Sequence, residues 1–534
     1  MQRFTELVHV LWGYWFERSI PERNSVERVL GVNRTAAVLC YLSSYQSASK
    51  RVPRVMDSKR VVNNSIALFV MDLSSKLVPL VTFPWILHAL GPEGYGKVGF
   101  AAAVTGFFGL LASPGFRAYG VREAARAAEA PRTLVQKLMS ARILLAVCSC
   151  LLLVGFTFTF APRDQATRII LLITGAGILV KAVDVQWLYI GHSKMWRVSL
   201  VTIVGQLVYM AMILSWVHRP GDAWIVPLAA AVSIAVGAAI LLNRAHKDFD
   251  IGLPKYMPEA WAKILPICAV LGIASMMSMI YDQIDTVMLR YMRTEAEVGL
   301  YVASYRLMAI SMSFLTVLAT VFFPLFSGAA KRDAHADRRY AQWMANSSIA
   351  LALPIAAGGF VLAQPVSRLV MGARFAGAEH LLRWLMLNLL SASAAVLFAS
   401  RLVPNNRERK YLLSVASGAV ANVALNLVFI PKYGAIAAVF TTIVAQAIVA
   451  AMAFYFSRDL PQPVFARPLV VSLIATAAMI GGILAAQQMV NVNVVVVIAG
   501  GAGVYGLALL ALQALWNQFA RGEEAAVAVQ GRSE

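Results

Sequence analysis

The feature that most constrains this chain is a train of apolar runs, each long enough to cross about 30 Å of hydrocarbon at roughly 20 residues per helix. Only helices and closed barrels satisfy their own backbone in lipid, and runs of this length are helical in size. A window of about 19 residues finds about fourteen of them. They lie near 61–87, 98–116, 141–160, 169–190, 199–217, 224–242, 264–289, 299–326, 347–370, 381–401, 411–429, 434–456, 469–487 and 492–516. Of 534 residues, 59% are hydrophobic and 14% charged, too few charges to clothe a soluble protein of this size. The sequence therefore predicts an all-α membrane protein with connections too short to hold a soluble catalytic domain.

The formal net charge of +20 would suit nucleic acid if it were gathered in one patch. It is spread instead through the loops between runs, the pattern of topogenic charge facing anionic lipid, so membrane lipid is the expected partner and nucleic acid is not. If the segment before Val61 is cytoplasmic, the even-numbered connections and the C-terminus face inward. Arg117, Arg122, Arg126, Arg132, Lys137 and Arg142 then share one inner loop, and Arg401, Arg407, Arg409 and Lys410 another. On this orientation about two dozen Lys and Arg lie inside against about ten outside, as the positive-inside rule requires.

About six helices precede the connection at 244–260, about six follow it, and two remain. An even number per half returns the chain to the same face, so the halves are parallel repeats about an axis along the membrane normal. The text LGPEGYG at 90–96 and RTEAEVG at 293–299, each opening a helix near an aromatic, agrees with such a repeat. The expected division is 1–56 as an N-terminal extension, 57–243 as helices 1–6, 244–260 as a cytoplasmic loop, 261–456 as helices 7–12, and 457–534 as helices 13–14 with a tail. Residues 1–55 lack a membrane-length run and read either as an ordinary cytoplasmic extension or as text upstream of a true start at Met56. Cys40, Cys148, Cys150 and Cys268 show no metal-ligand spacing and read as small core residues.

Several passages, in order and spacing, carry a family resemblance. They are PWILHALGPEGYG at 84–96, GFRAYGVRE at 115–123, DVQWLYIGHSK at 184–194, the connection 285–301, and PKYGAIAA at 431–438. Together they resemble the polysaccharide-transporter branch of the superfamily that also holds the multidrug MATE exporters, and most of all Wzx-type O-antigen and exopolysaccharide repeat-unit flippases. That resemblance implies two six-helix lobes rocking around a central cavity, with no enzymatic chemistry. The implied substrate is an oligosaccharide on undecaprenyl diphosphate, in the bacterial inner membrane with both termini cytoplasmic. Partners would include a polysaccharide polymerase and chain-length machinery.

An ionisable side chain within a membrane helix costs about 2.5–3.5 kcal/mol on insertion scales and usually faces a cavity or a partner. In the first helix, Asp72 and Lys76 stand four apart on one face, as either a self-neutralising pair or a cavity cation with its modulator. Lys181 and Asp184, three apart, are expected to adjoin each other on the fourth helix. Arg306 lies several residues inside the eighth and could grip a diphosphate bidentately or snorkel outward. Asp282 and Asp285 share a face of the seventh, where they would neutralise Arg306 or take a coupling ion, H+ or Na+. Arg117 and Arg122 read as topogenic charge and as first capture of the diphosphate. No cofactor is expected. Pro79, Pro84 and Pro266 are candidate bends.

The string GAGVYG at 501–506 matches a dinucleotide fingerprint but lies in an apolar run without a preceding strand, so close helix packing through small residues explains it better. Competing functions are a MATE-like small-molecule exporter, a peptidoglycan-precursor flippase and a membrane-embedded polysaccharide polymerase. The last is disfavoured by short outward loops.

Overall fold

A computed structural model describes residues 58–126, 129–252, 254–329, 334–488 and 493–530. The chain divides into Met1–Val62 and Asn63–Glu534. The expected extension 1–56 lies outside the described residues, as do the side chains of Asp72 and Lys76. Among the described residues the fold is all α.

Helix α1 (Ser58–Ala112) is one element with a single non-helical residue, Gly91, at φ 66° and ψ −179°. Glycine reaches this conformation without steric penalty, and Pro92 then starts the second limb where no N–H is missed. Pro79 and Pro84 lie inside the first limb without breaking it, so the bend expected at those prolines falls at Gly91 instead. A second left-handed glycine, Gly115 at φ 67°, separates α1 from α2 (Phe116–Arg126).

Helix α3 (Pro131–Thr159) opens about ten residues before the expected 141. The inner loop predicted there is thus largely helix, and Arg132, Lys137 and Arg142 ride on it. The expected fourth helix is two, α4 (Gln165–Ala182) and the short α5 (Gln186–Gly191). After α6 (Met195–Trp216) and a 3-10 turn at Pro220–Trp224, α7 (Ile225–Phe249) runs past the expected boundary, leaving only 250–257 before α8 (Pro258–Met292). Then come α9 (Glu295–Ala329), α10 (Ala334–Val361), α11 (Ala363–Met371), α12 (Ala378–Ala399), α13 (Glu408–Tyr433), α14 (Ala435–Ser457), α15 (Ala466–Gln488) and α16 (Val494–Gln530).

Among the described residues, 12 helices are long and apolar enough to cross a membrane. That number treats both limbs around Gly91 as one and leaves out the 35-residue α8. Counting the limbs separately and adding α8 gives about fourteen. The helices pack in two sets, α3, α4, α6 and α7 against one another, and α8, α9, α10, α12, α13 and α14 likewise, with α15 and α16 paired and laid on α10. Each set has its own apolar interior, Leu153, Ile170, Leu171 and Ile213 in the first, Leu289, Leu385, Leu389 and Ile430 in the second. Leu151, Leu152 and Phe158 point outward from α3, the inverse of a soluble surface and the belt that hydrocarbon would cover.

Small residues set the helix spacing. A Cβ on Gly418 of α13 would lie 2.2 Å from the Val449 side chain of α14, so these helices approach as only glycine permits. The glycines of the 501–506 string behave less uniformly. Gly501 packs on Ile483 of α15, whereas Gly503 and Gly506 meet nothing within 4 Å, so the close packing expected for the whole string holds only at its first glycine.

Candidate functional site

The two stretches of repeated text meet. A Cβ on Gly96 would lie 2.1 Å from the Glu295 carbonyl oxygen, and one on Gly299 would lie 1.9 Å from the Pro92 carbonyl oxygen. In each case a glycine touches the backbone four residues before the equivalent glycine of the other repeat, the reciprocity of a two-fold axis passing between α1 and α9. Beside this crossing, Lys97 binds Asp164 at 2.9 Å and Glu295 at 3.3 Å, tying α1 to the start of α4 and to α9. Arg290 pairs with the same Glu295. Tyr291 donates to the Phe160 carbonyl at 3.1 Å, and Arg374 to the His88 carbonyl at 3.4 Å. Asp164 also caps α4, accepting from the Thr167 N–H at 2.9 Å. Burial alone would raise its pKa, but the bonds from Lys97 and Thr167 prevail and bring it down to about 2. This end of the bundle is stitched shut across the two sets.

The second helix set holds a polar cluster in its interior. Asp285 is 2% exposed. Its Oδ2 accepts from Tyr301 and from Thr442, each at 2.7 Å, and its Oδ1 from Asn426 at 2.5 Å. Asn426 also donates to Asn422 at 3.0 Å and accepts from Thr441. Close by, Tyr281 donates to Gln446. A threonine hydroxyl carries one proton, yet Thr442 Oγ1 lies 2.7 Å from both Asp285 Oδ2 and the Ala438 carbonyl oxygen. One of these close oxygen pairs lacks a hydrogen unless a proton or cation is added. Among the described residues no cation pairs with Asp285 within 4.0 Å, and the buried carboxyl is answered by the neutral donors Tyr301, Thr442 and Asn426.

The sequence-nominated residues fall differently around this frame. Arg306 is exposed on α9 and, among the described residues, has no carboxylate within 4.0 Å, so the expected neutralisation by Asp282 and Asp285 is not made. Asp285 is spent within its own helix set, and Asp282, exposed one turn earlier, acts electrostatically on Tyr281 and Tyr305.

Lys181 and Asp184 do not adjoin as expected, because α4 ends at Ala182 and Asp184 turns back to accept the Gln186 N–H at 3.0 Å, starting α5. The break is plugged by Arg142, 8% exposed, which donates to the Asp184 carbonyl at 2.6 Å and to the Lys181 carbonyl. Lys181 itself is exposed, and the charge of Arg117 reaches Asp184. Arg117 and Arg122 are exposed on α2, Arg122 pairing with Glu123 at 3.1 Å and lying over the Tyr119 ring. Two further charges read as topogenic are structural ties. Arg401, 0% exposed, binds Asp337 at 2.6 Å. Arg407 grips both oxygens of Asp459 at 2.6 Å, a hydrogen bond that brings that carboxyl down to about 2.

Sequence reasoning missed Asn422, Asn426, Thr441, Thr442, Tyr301 and Lys97. A search for ionisable groups in apolar runs passes over neutral amides and hydroxyls. The available signal was the asparagine pair at i and i+4 within the run 411–429, one polar stripe on an otherwise apolar helix.

Among the described residues the chain is a multi-pass helical bundle whose two helix sets are tied together at one end. Consistent with this, the fold matches a lipid II flippase, MurJ, in an inward closed conformation with a TM-score of 0.66 at 14% identity, covering 86% of this chain and 99% of that one. It also matches an inward-facing multidrug resistance MATE family transporter of the MOP superfamily with a TM-score of 0.61 at 14% identity, covering 72% and 93%. Residues 61–330 match the model of the polysaccharide biosynthesis protein family, and the chain belongs to that family. It is similar to putative O-antigen transporters of Escherichia coli (strain K12), 24% identical over 35% of this chain and 46% of that protein, and of Shigella dysenteriae, 19% identical over 70% and 93%. The former match spans less than half the length of the relative. These relatives are named as transporters, and the protein is a multi-pass integral membrane member of the polysaccharide biosynthesis protein family.

Proposed function

We propose that this protein flips undecaprenyl-diphosphate-linked oligosaccharide repeat units from the cytoplasmic to the periplasmic leaflet by alternating access, for O-antigen, capsule or exopolysaccharide synthesis. It performs no covalent step. It resides in the inner membrane with cytoplasmic termini, the orientation favoured by the Lys and Arg distribution, and the end closed at Gly96 and Gly299 then faces the periplasm.

The observation that carries this reading is Arg306, exposed on α9 and, among the described residues, with no carboxylate within 4.0 Å. A diphosphate cannot enter hydrocarbon bare, so surplus cationic charge between the lobes must replace its hydration while the prenyl tail stays in lipid. An exporter of cationic drugs would place surplus acid there instead. Arg117, Arg122 and Lys181, exposed near the opposite end of α1 and α4, supply first capture of the diphosphate on the cytoplasmic side, and Lys76 adds to the charge along α1.

Asp285 takes the coupling ion. With a proton on Oδ2, the chain Asp285 to Thr442 to the Ala438 carbonyl has one hydrogen for each oxygen pair, and Na+ is the alternative occupant, held by the same carboxylate, hydroxyl, amide and carbonyl oxygens. Asp285→Asn keeps the shape and removes the exchangeable charge. It should abolish the dependence of transport on the ion gradient while leaving protein levels intact, and a gradient dependence equal to wild type refutes the role.

The function is tested in a deletion strain, which should accumulate the lipid-linked glycan on the cytoplasmic leaflet. Complementation by wild type should clear it, Arg306→Ala and Lys76→Ala should not, and Arg306→Lys should be milder only if a point charge is enough. Full transport by the double alanine variant defeats the assignment.

A further inference from the structure

Outside the closed crossing lies a cavity of about 740 Å³, formed where the Gly91 break, the start of α4 and the 3-10 turn before α7 come together, with Arg374 reaching in from the other lobe. This is within the range of sites that enclose small organic ligands, roughly 300–1,000 Å³. Nothing in the translocation path described above uses it.

The lining is specific in three respects. Trp224 is 42% exposed, and its ring has no aromatic or cationic partner among the described residues, leaving a flat apolar face with a polar edge turned to the cavity. Glu93 and Gln165, both exposed, likewise spend no side-chain hydrogen bond on the described protein. The charges do not sum to an anion site. Lys97 is already answered by Asp164 and Glu295, Glu93 opposes any phosphate, and Arg374 is the one cation of the lining without a carboxylate partner. The groups left free are a donor fork, a carboxylate acceptor, an amide that does both, and an aromatic face. Hydroxyls both donate and accept, and a pyranose presents a ring of them around an apolar face.

We propose that this cavity is a carbohydrate site that holds sugar residues of the translocated glycan at the periplasmic mouth. The proposal rests on the flippase reading and names a second place where the same substrate is bound. It also ties binding to gating, because Lys97 and Arg374 are the side chains that stitch the lobes beside the crossing. A glycan hydrogen-bonded to them competes with Glu295 and the His88 carbonyl, so the emerging substrate loosens the contacts that would close behind it.

The experiment uses the full chain in lipid nanodiscs. The probe is the water-soluble oligosaccharide released by mild acid from the strain's own lipid-linked intermediate, its binding followed by saturation-transfer NMR. Wild type should bind saturably. Trp224→Ala should weaken binding roughly tenfold, and Glu93→Gln and Gln165→Ala, both at exposed side chains, should weaken it without altering thermal stability, while Leu151→Ala, exposed on α3 and outside the cavity lining, should bind as wild type does. No saturable binding, or binding untouched by all three cavity variants, overturns the proposal. The flippase reading stands or falls separately, on clearance of the lipid-linked glycan in cells by wild type and its loss in Arg306→Ala.

Discussion

Substituting Ala at Gly96 or Gly299 should open the end closed by their crossing, the periplasmic one on the orientation proposed above. The added methyl would sit 2.1 Å from the Glu295 carbonyl oxygen or 1.9 Å from that of Pro92, and in both cases the obstacle is backbone in the first turn of a helical limb, which cannot swing aside as a side chain would. Restoring ordinary contact requires α1 and α9 to part by about 1 Å or more, since carbon–oxygen contacts relax only beyond ~3 Å. Overpacking of this kind costs about 1–3 kcal/mol. The cost falls only on the state in which the crossing is made, so it shifts the population toward the open state by about 5–150-fold.

The assay is the rate at which a membrane-impermeant maleimide reaches a cysteine placed at Arg306, in a background stripped of the native cysteines, added from the periplasmic side. Gly96→Ala and Gly299→Ala should each raise that rate within this range. Gly109→Ala is the control, because its methyl would meet nothing within 4 Å on the same limb of α1, and it should label as the parent does. Unchanged labelling in both crossing variants, with membrane levels equal to the parent, would refute the claim that this contact closes the outer end.

Two further expectations concern the polar ties. Replacing Arg142 by Met leaves the Asp184 carbonyl without its side-chain donor in a buried break and the Lys181 carbonyl with backbone N–H donors only, that of Asp184 at 3.3 Å, at about 1–3 kcal/mol for the unsatisfied group. A lowered melting temperature in detergent by fluorescence-detected size exclusion checks this, with Arg142→Lys intermediate. The Lys97–Asp164 tie makes a statement about pH. A carboxyl held near 2, below its ordinary value of about 3.9, contributes stability that is complete above pH ~4 and is lost as pH falls through about 2. Maleimide access should therefore be flat from this cause between pH 5 and 8, whereas Lys97→Gln should raise it throughout. A step near neutrality that persists in Lys97→Gln would assign pH sensing to another group.

The membrane class and the repeated halves were legible because apolar run length and charge placement are one-dimensional quantities. What was not legible depends on where a helix stops. Lys181 and Asp184 have the spacing of neighbours only if one helix carries both, and the sequence around Val183 holds no glycine or proline to announce the break. It is the buried Arg142, about forty residues away, that satisfies the carbonyls freed by ending α4 there. The same long-range partnering turned Arg401 and Arg407, which as text are orienting charges, into the anchors of Asp337 and Asp459. Charge counted along the chain predicts which face a loop occupies and says nothing of whether that charge is spent.

That distinction explains why the most informative sites are those where charge and pairing disagree. Among the described residues Arg306 has no carboxylate within 4.0 Å, and Asp285 is answered by the neutral groups Tyr301, Thr442 and Asn426. Their charges are opposite, yet on α8 and α9 they do not pair. On the flippase reading proposed above, pairing would cancel the use of each, and their separation would let one lobe register the coupling ion while the space between lobes registers the lipid-linked substrate. Because α8 and α9 also deliver Arg290 and Glu295 to the outer crossing, an ion that repositioned α8 would, on that reading, act on the gate through the same pair of helices.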